Sequence, residues 1–240
     1  MHAIWIIAKR ELDSFFDSLI AYIMLILFLG FSGFFTWLLG ADIFLVGQAS
    51  LESFFSVAYW TLFFFIPALT MRLLAEEKKT GTLELLLTKA VTDRQVVLGK
   101  FLSAFLLVLT ALAFTSPYVI TVAKIGNIDA GQVLCGYLGL VLMSGMYISL
   151  GLYTSSITSN QVVAFLTALF IGLFFHILFG IIAQQFTGWS GQVFEALSLT
   201  NHLESISRGV LDTRDLIYFI SLTFIGIFLA EYSLIKRNIA

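Results

Sequence analysis

The chain has 240 residues, of which 59% are hydrophobic and only 12% are charged, with a formal net charge of −2 at pH 7. Soluble domains carry about 25% charged residues, and a domain of this size cannot hide so much apolar surface from water. The composition therefore excludes an ordinary soluble fold, the small net charge gives no basis for nucleic-acid binding, and the single cysteine, Cys135, excludes an intramolecular disulfide or a CxxC site.

The first predicted element is an amphipathic helix over residues 3–18. Its polar face carries Lys9, Arg10 and Asp13. The apolar face consists of Ile4, Trp5, Ala8, Leu12, Phe15 and Phe16 and extends to Leu19. A helix divided in this way lies in the membrane interface, with its apolar face at the acyl boundary. We therefore predict an interfacial helix that leads into the first span, with a plain cytoplasmic extension of that span as the alternative.

Six apolar runs then follow along the chain. A transmembrane helix needs about 20 residues, and the runs lie at roughly 19–39, 54–74, 101–123, 132–154, 161–184 and 215–235. They predict an all-α integral membrane protein with a single transmembrane domain over residues 1–240. Pro67 and Pro117 fall inside the second and third spans, where kinks are tolerated because neighbouring helices satisfy the freed backbone groups.

The positive charges predict the orientation of these spans. Ten of the thirteen Lys and Arg residues precede span one, follow span six, or surround the connection between spans two and three. The other three are Lys124, Arg208 and Arg214. Because cytoplasmic loops carry the excess of Lys and Arg, both termini are predicted to be cytoplasmic and residues 185–214 to face outside.

The connection between spans two and three, residues 75–100, is the one sizeable cytoplasmic segment that the sequence predicts. Arg72 and Glu76 are spaced i,i+4, so they can pair on a helix that continues span two. Gly81 should end that helix, because glycine readily adopts the left-handed conformation of a helix C-terminus. The segment is therefore predicted to leave the membrane as a helix and then to break.

A leucine stripe follows this break. Thr92 and Gln95 form a capping box that starts the next helix. The stripe before that box has i,i+3,i+4 spacing and consists of Leu83, Leu86 and Leu87. It predicts a short cytoplasmic helix, and the pattern leaves open whether its leucines enter a groove of a partner protein or lie on the lipid.

Polar residues are few inside the spans. His176 lies in the middle of span five, with Gly172 and Gly180 one turn away on either side and Gln184 one turn further. Small residues permit close helix approach, and a histidine in the membrane needs a hydrogen-bond partner. These four residues are candidates for a transport pathway or for a seam between two subunits, and a packing hydrogen bond is the alternative.

The outer segment, residues 185–214, is predicted to carry short helices. The candidate outer-face helix has one apolar side and one polar side, and its residues are Leu199, His202, Leu203, Glu204, Ile206, Arg208 and Val210. An amphipathic helix of this kind lies at the outer leaflet. It could close the outer side of a pathway, or it could be a surface helix without a gating role.

Two function classes are candidates on a motif or on composition alone. Gly188-Trp-Ser-Gly191 matches the G-x-S-G of intramembrane serine proteases, but Ser190 falls in the predicted outer loop, so the structural context that would support the motif is missing. An ATP-independent channel or secondary transporter is the other alternative, although the acidic residues that often mark such pathways are nearly absent from mid-span. Three histidines and one cysteine predict no metal site.

The cytoplasmic connection resembles the loop between the second and third spans of type-2 ABC exporter permeases. The residues that carry this resemblance are Arg72, Glu76, Glu77, Gly81, Thr82, Leu83, Glu84, Leu85, Leu86, Gly99 and Lys100. The N-terminal helix and the turn at 155–161 are similar to the family as well, so the resemblance covers essentially the whole chain. The stretch 197–219 is most similar to the permease of the gliding-motility (Gld) transporter and its bacterial relatives.

The resemblance implies a multi-pass permease subunit of the bacterial inner membrane. Such a subunit couples ATP hydrolysis by a separate ABC ATPase to export or to force transmission, in gliding motility or in another process. The short leucine helix is then the coupling helix that docks into the ATPase. The residues implied to serve this coupling are Arg72, Glu76, Glu77, Gly81, Thr82, Leu83, Glu84, Leu86 and Leu87.

The same resemblance implies the partners and the absence of enzymatic activity on this chain. Gly99-Lys100 lacks the first glycine and the following hydroxyl of a phosphate-binding loop, so no cofactor is expected here and ATP and Mg²⁺ belong to the partner ATPase. A second permease copy or a similar permease should complete a dimer within the lipid bilayer. The gliding-type relatives also imply a membrane-anchored auxiliary subunit, and no nucleic-acid partner is expected.

Overall fold

The computed structural model describes residues 2–38, 50–82, 91–186 and 188–237. Every regular element in these ranges is helical. A π-helical turn (Phe174–Leu178) joins two of the helices. In chain order the α-helices are α1 (His2–Asp17), α2 (Ile20–Trp37), α3 (Glu52–Thr70), α4 (Ala75–Thr80), α5 (Asp93–Ala113), α6 (Ser116–Ile125), α7 (Ala130–Ile157), α8 (Gln161–Leu173), α9 (Phe179–Gln185), α10 (Trp189–Leu197), α11 (Leu199–Ser207) and α12 (Thr213–Arg237).

Six helical stretches are long and apolar enough to cross a membrane, which confirms the predicted fold class. They are α2, α3 with α4, α5 with α6, α7, α8 through α9, and α12. The chain is therefore a multi-pass membrane protein. The main difference from the predicted runs lies at spans two and three, where polar helical turns extend the helices to Thr80 and back to Asp93.

The third span is broken near Pro117, as its position in the sequence suggested. Helix α5 ends at Ala113 and α6 begins at Ser116, because proline lacks an N–H and disfavours the helical conformation of the residue before it. Thr115 sits in the break. Its hydroxyl donates to the carbonyl oxygen of Leu112 at 2.6 Å and lies 2.7 Å from the hydroxyl of Tyr137 on α7, so polar groups at the break are satisfied inside the protein.

Helix α7 is the centre of the bundle and the most buried of the spans. It packs against α12, α3, α8 and α5. The contact with α12 is close at Gly226, where the glycine leaves no room for a side chain: an added Cβ would lie 2.4 Å from the hydroxyl of Ser149. In a membrane, where apolar side chains gain little by leaving lipid, such small residues let helices associate through close backbone packing.

Helix α1 packs along the first turns of α5. Ile7 and Phe15 are buried, and a Cβ added at Gly99 of α5 would lie 2.7 Å from the Cβ of Ile7. Trp5, which the sequence pattern placed on the apolar face, is 54% exposed, so the buried face of the helix is rotated towards Ile7. Leu19 has a φ of 62°, and this turn separates α1 from α2 as an independent element.

Several cytoplasmic segments predicted from charge gather at one end of the bundle. Ser155 near the end of α7 bonds to backbone at the start of α4, Lys78 of α4 donates to the carbonyl oxygen of Ser156, and Ser233 of α12 donates to the same oxygen at 3.1 Å. Helix α1 lies at the same end, where Glu11 is 3.4 Å from the Nζ of Lys100 on α5. We call this end the inner end and the opposite end, which carries α10 and α11, the outer end.

Candidate functional site

The second span is interrupted where it reaches the inner end. Helix α3 stops at Thr70 and α4 starts at Ala75. The Ser155 hydroxyl of α7 accepts from the backbone N–H groups of Leu74 and Ala75, both at 3.0 Å, and donates to the carbonyl oxygen of Met71 at 2.9 Å. The unpaired N–H groups at a helix start normally need such a partner. A side chain from another span therefore caps α4 and couples the bend of span two to α7.

Helix α4 is short and ends at the predicted residue. Gly81 adopts a φ of 72°, the left-handed conformation that glycine adopts without steric cost. Arg72 Nε lies 3.3 Å from Glu76 Oε2, at the predicted spacing. Helix α5 begins after the predicted capping box, in which Thr92 and Gln95 satisfy each other's backbone N–H groups.

Four charged residues form what we call the inner cluster: Arg10 and Glu11 of α1, Glu77 of α4, and Lys100 of α5. The Lys100 side chain is fully buried, and its Nζ lies 2.9 Å from Glu77 Oε1 and 3.4 Å from Glu11 Oε2. An Arg10 guanidinium nitrogen lies 2.5 Å from Glu11 Oε1 and 3.5 Å from Glu77 Oε1. A buried charge is tolerated only with close counter-charges. The inner cluster therefore ties three helices together at one point.

The electrostatics of the inner cluster favour the ionised form of Glu11. Burial by itself would raise the pKa of Glu11, but the Lys100 ammonium and the Arg10 guanidinium outweigh it, so the pKa lies below its ordinary value of 4.5. A cavity of about 510 Å³ adjoins the cluster and is lined by Arg72, Thr80 and Thr82 among others. This polar cavity lies beside the stem of the predicted coupling segment.

The coupling residues predicted from the sequence fall into two groups. Arg72, Glu76, Glu77, Gly81 and Thr82 lie on or beside α4, at the base of the loop. The leucine stripe and its neighbour, namely Leu83, Glu84, Leu86 and Leu87, lie outside the described residues. The coupling helix itself therefore stays a prediction, and the structure describes how α4, which precedes it in the chain, is held.

At the outer half of the bundle, His176 is buried among aromatic side chains. It lies in the π-helical turn, and its Nδ1 is 2.9 Å from the hydroxyl of Tyr147 on α7. The Tyr59 ring stacks on the imidazole at a centroid distance of 4.0 Å, with Trp60 at 4.4 Å and Phe63 at 4.7 Å. His176 Nε2 is buried and has no hydrogen-bond partner in the described part of the chain.

An outer cavity of about 590 Å³ opens beside this histidine. Its walls come from α3, α7, α9, α11 and the π-helical turn, and they include Tyr59, Trp60, Gly139, His176, Gly180, Gln184 and Ser198. A pocket of this size can accommodate a small organic molecule. The four residues that the sequence grouped are thus placed near one another, and three of them line this cavity.

The glycines that flank His176 make their contacts within the chain. A Cβ at Gly172 would lie 3.0 Å from Phe63 Cε2, and one at Gly180 would lie 3.1 Å from Ser198 Oγ. The carbonyl oxygen of His176 accepts from the hydroxyl of Thr200 on α11. These contacts are the ones that the packing alternative expects, and the pathway and subunit-seam roles of the group stay predictions.

The outer-face helix is shorter than its sequence pattern predicted. Leu199 and Ile206 are buried, and Leu203 packs over Gly139 of α7. The helix ends at Ser207 with Arg208 as its C-cap, so the assignment of Val210 to it is wrong. Gly209, with a φ of 85°, turns the chain away, and Val210 is 59% exposed. Arg208 still reaches Glu204, with 3.6 Å between the charged groups.

His202 makes a hydrogen bond to a carboxyl group that the sequence pattern did not reveal. Its Nδ1 lies 2.6 Å from Asp215 Oδ1 at the start of α12, and its Nε2 lies 3.0 Å from the carbonyl oxygen of Ala196. Tyr218 stacks on the ring at 4.1 Å. Both nitrogens face acceptors, so both contacts are hydrogen bonds when the imidazole carries two protons. The pair fastens α11 to the last span.

Two sequence signals could have indicated the partners of Lys100. Glu11 interrupts the apolar face of α1 one turn from Ile7 and one turn from Phe15. Lys100 stands at the edge of a long apolar run. A charge on each of two apolar faces suggests that the two faces meet through an ion pair. Among the described residues, no group of three or more His, Cys, Asp or Glu side chains could hold a metal ion.

One comparison with known proteins bears on this geometry. A sequence model of the family described as ABC-2 family transporter protein matches residues 5–210. The match begins in α1, includes both the inner cluster and the outer cavity, and ends just after α11. No curated protein matches the chain.

Proposed function

The chain belongs to the ABC-2 transporter family, and on this premise we propose that it couples ATP hydrolysis on a separate ATPase subunit to movement of its outer half. A member of this family is the membrane permease subunit of an ABC transporter, with the ATPase on a partner chain and often with a second permease. The coupling itself, its direction as export, and the bacterial inner membrane as its location are our proposal.

The observation that carries this proposal is the buried inner cluster. Lys100, fully buried, holds Glu77 at the base of the loop and Glu11 of α1 at ion-pair distance. A push on residues 81–90 would reach α4 directly, since α4 precedes that loop in the chain. From α4 it would pass to α1 and α5 through the cluster and to α7 through Ser155. Such coupling requires an element with two arrangements that the ATPase favours to different extents.

The proposed contact with the ATPase is the leucine stripe. We expect Leu86→Asp to abolish association with the ATPase while leaving membrane insertion intact, because burying one leucine contributes roughly 1.5–3 kcal/mol and a charge there would be desolvated. Leu85→Asp, one residue away and off the stripe, is the matched control and should retain binding. Glu84→Lys should weaken ATPase stimulation more than assembly.

The measurement is co-purification of the two subunits, followed by ATPase activity of the reconstituted complex. Leu86→Asp that binds and stimulates the ATPase normally would show that the leucines face lipid and that the proposed mechanism is wrong. Equal loss in Leu86→Asp and Leu85→Asp would indicate general disruption of the loop and would also count against a specific stripe.

The orientation follows the charge bias, with the inner end in the cytoplasm. We expect cysteines placed at Asn127 and Glu195 to react with a membrane-impermeant reagent from outside, and cysteines at Leu85 and Thr158 to react only after permeabilisation. A Cys135→Ala background removes the native thiol. Outside reactivity at Leu85 would invert the scheme and remove the basis for ATPase docking at this loop.

The assembly we propose is a permease dimer, homomeric or with a similar partner, on two ATPase subunits. The likeness of residues 197–219 to gliding-type permeases supports a membrane-anchored auxiliary subunit and a role in gliding motility or a related envelope process. Purification from native membranes with identification of the associated chains tests these assignments together. A complex that lacks an ATPase would contradict the proposal.

A further inference from the structure

The outer cavity contains buried polar atoms without partners. His176 Nε2 and Ser198 Oγ both belong to residues that line it, and both are buried without a hydrogen-bond partner in the described part of the chain. Such groups are costly to leave unpaired inside a protein. Both residues line one cavity of about 590 Å³, which indicates that a bound molecule supplies the missing partners.

The hydrogen-bond geometry defines what His176 offers to that molecule. The hydroxyl of Tyr147 is buried, and its one hydrogen-bond partner among the described residues is His176 Nδ1. If Nδ1 donated to Tyr147, the tyrosine proton would be left without an acceptor. Tyr147 therefore donates to Nδ1, and His176 Nε2 carries the proton of the neutral imidazole. The molecule must place a hydrogen-bond acceptor there.

The walls and the charges define the rest of the molecule. Tyr59, Trp60 and Phe55 line the cavity and offer aromatic surface for a flat apolar body. Glu52 and Glu204 also line it, and no lysine or arginine does so among the described residues. Glu204 has Arg208 3.6 Å away, whereas no described cation lies within ion-pair distance of Glu52. A cation is therefore favoured and an anion is disfavoured.

We propose that the outer cavity binds a monocationic amphiphile that has a flat aromatic body and one hydrogen-bond acceptor. The acceptor meets His176 Nε2, the body lies against Tyr59 and Trp60, and the positive charge lies towards Glu52. The inference rests on the proposed function in taking this molecule to be a transported substrate, while the binding itself requires no ATPase.

Two xanthene dyes of similar size and opposite charge provide the test. Rhodamine 6G is a monocation with an ester carbonyl, and fluorescein is an anion at neutral pH. With the full chain in nanodiscs of zwitterionic phosphatidylcholine, fluorescence anisotropy should show saturable binding of rhodamine 6G and at least tenfold weaker binding of fluorescein. Glu52→Gln should weaken rhodamine binding about fivefold, whereas Glu195→Gln, outside the cavity, should not.

Variants at His176 test the donor. His176→Phe keeps an aromatic ring but removes Nε2, and it should weaken rhodamine binding about tenfold. His176→Gln keeps an N–H donor near the same position and should retain most of the affinity. Equal binding of the two dyes, or equal affinities of Glu52→Gln and Glu195→Gln, would overturn the cationic class. Equal loss in both His176 variants would overturn the donor assignment.

The outcomes also separate this inference from the proposed function. If the permease binds neither dye while ATPase stimulation depends on Leu86, the substrate class is wrong and the coupling role stands. If rhodamine 6G binds as expected but the chain associates with no ATPase, the cavity assignment stands and the coupling role fails.

Discussion

Replacing Lys100 by methionine should destabilise the protein far more than replacing an exposed lysine. Methionine keeps most of the length of the side chain but removes the ammonium group, which is fully buried between Glu77 and Glu11. Those two carboxylates, themselves largely buried, would then face each other across an apolar side chain. The variant therefore tests whether the inner cluster holds α1, α4 and α5 together.

The magnitude follows from the distances. At an effective dielectric constant of about 20, unit charges separated as in the two Lys100 contacts attract by about 5–6 kcal/mol each. Burial of the ammonium costs several kcal/mol, so the intact cluster contributes much less than these attractions. Removing one partner of a buried pair costs about 3–5 kcal/mol. We expect about 3 kcal/mol here, because Arg10 still lies 3.5 Å from Glu77.

The chain supplies its own reporter of unfolding. Cys135 is the single cysteine and is 7% exposed, so the rate at which it reacts with a thiol reagent in denaturant follows the opening of α7. Lys79→Met, on the exposed side of α4, is the matched control and should change the free energy of unfolding by less than about 0.5 kcal/mol. Adding Glu77→Gln to Lys100→Met should recover part of the loss. Equal stability of Lys100→Met and Lys79→Met would refute the role of the cluster.

Three further predictions concern the inner end and use the same measurement. Gly99→Ala should lower the free energy of unfolding by about 1–3 kcal/mol, because the added Cβ would overlap Ile7 of α1. Gly30→Ala has open space around the added Cβ and should not lower it, and equal effects of the two variants would contradict the packing of α1 on α5. Ser155→Ala should lower the free energy of unfolding by about 1–3 kcal/mol, because it leaves two buried N–H groups at the start of α4 unpaired. Ser221→Ala loses only a bond within its own helix and should lower it less. Because the pKa of Glu11 is lowered in the folded state, its stabilising effect is present above about pH 4.5 and is lost as the pH falls through the folded-state pKa. Glu11→Gln should therefore flatten the decline of the free energy of unfolding between about pH 6 and pH 3, and an unchanged decline would rule out this contribution.

Much of the fold follows from local sequence signals. Apolar runs of span length, the Thr92 capping box and Gly81 are each decided by a few neighbouring residues, and each was predicted from the sequence. Helix ends at the polar boundaries do not follow from such signals, because a polar turn can continue a helix or leave it. Val210 illustrates this limit: its spacing fits the outer-face helix, but Gly209 turns the chain before it.

The candidate sites depend on contacts between residues far apart in the chain. Ser155 caps a helix that begins 80 positions earlier, and Lys100 joins residues from α1 and α4. Hydrophobic periodicity cannot indicate such pairs, because it specifies which face of a helix is apolar and not which helix that face meets. The packing of α1 on α5 could not be predicted for the same reason, and the interfacial position of α1 stays a prediction.

The π-helical turn in the fifth span has a consequence for how this span presents its two halves. The N–H of Phe179 bonds to the carbonyl oxygen of Phe174, five residues back, so the turn contains one residue more than a regular helix would. One residue corresponds to about 100° of rotation. Deleting Ile177 would let the turn close as a regular helix with Gly180 and Gln184 still facing the outer cavity, whereas α winding of the same residues without the deletion would swing both away from it. Conversion between π and α winding at this turn would therefore rotate the outer half of the span relative to its inner half.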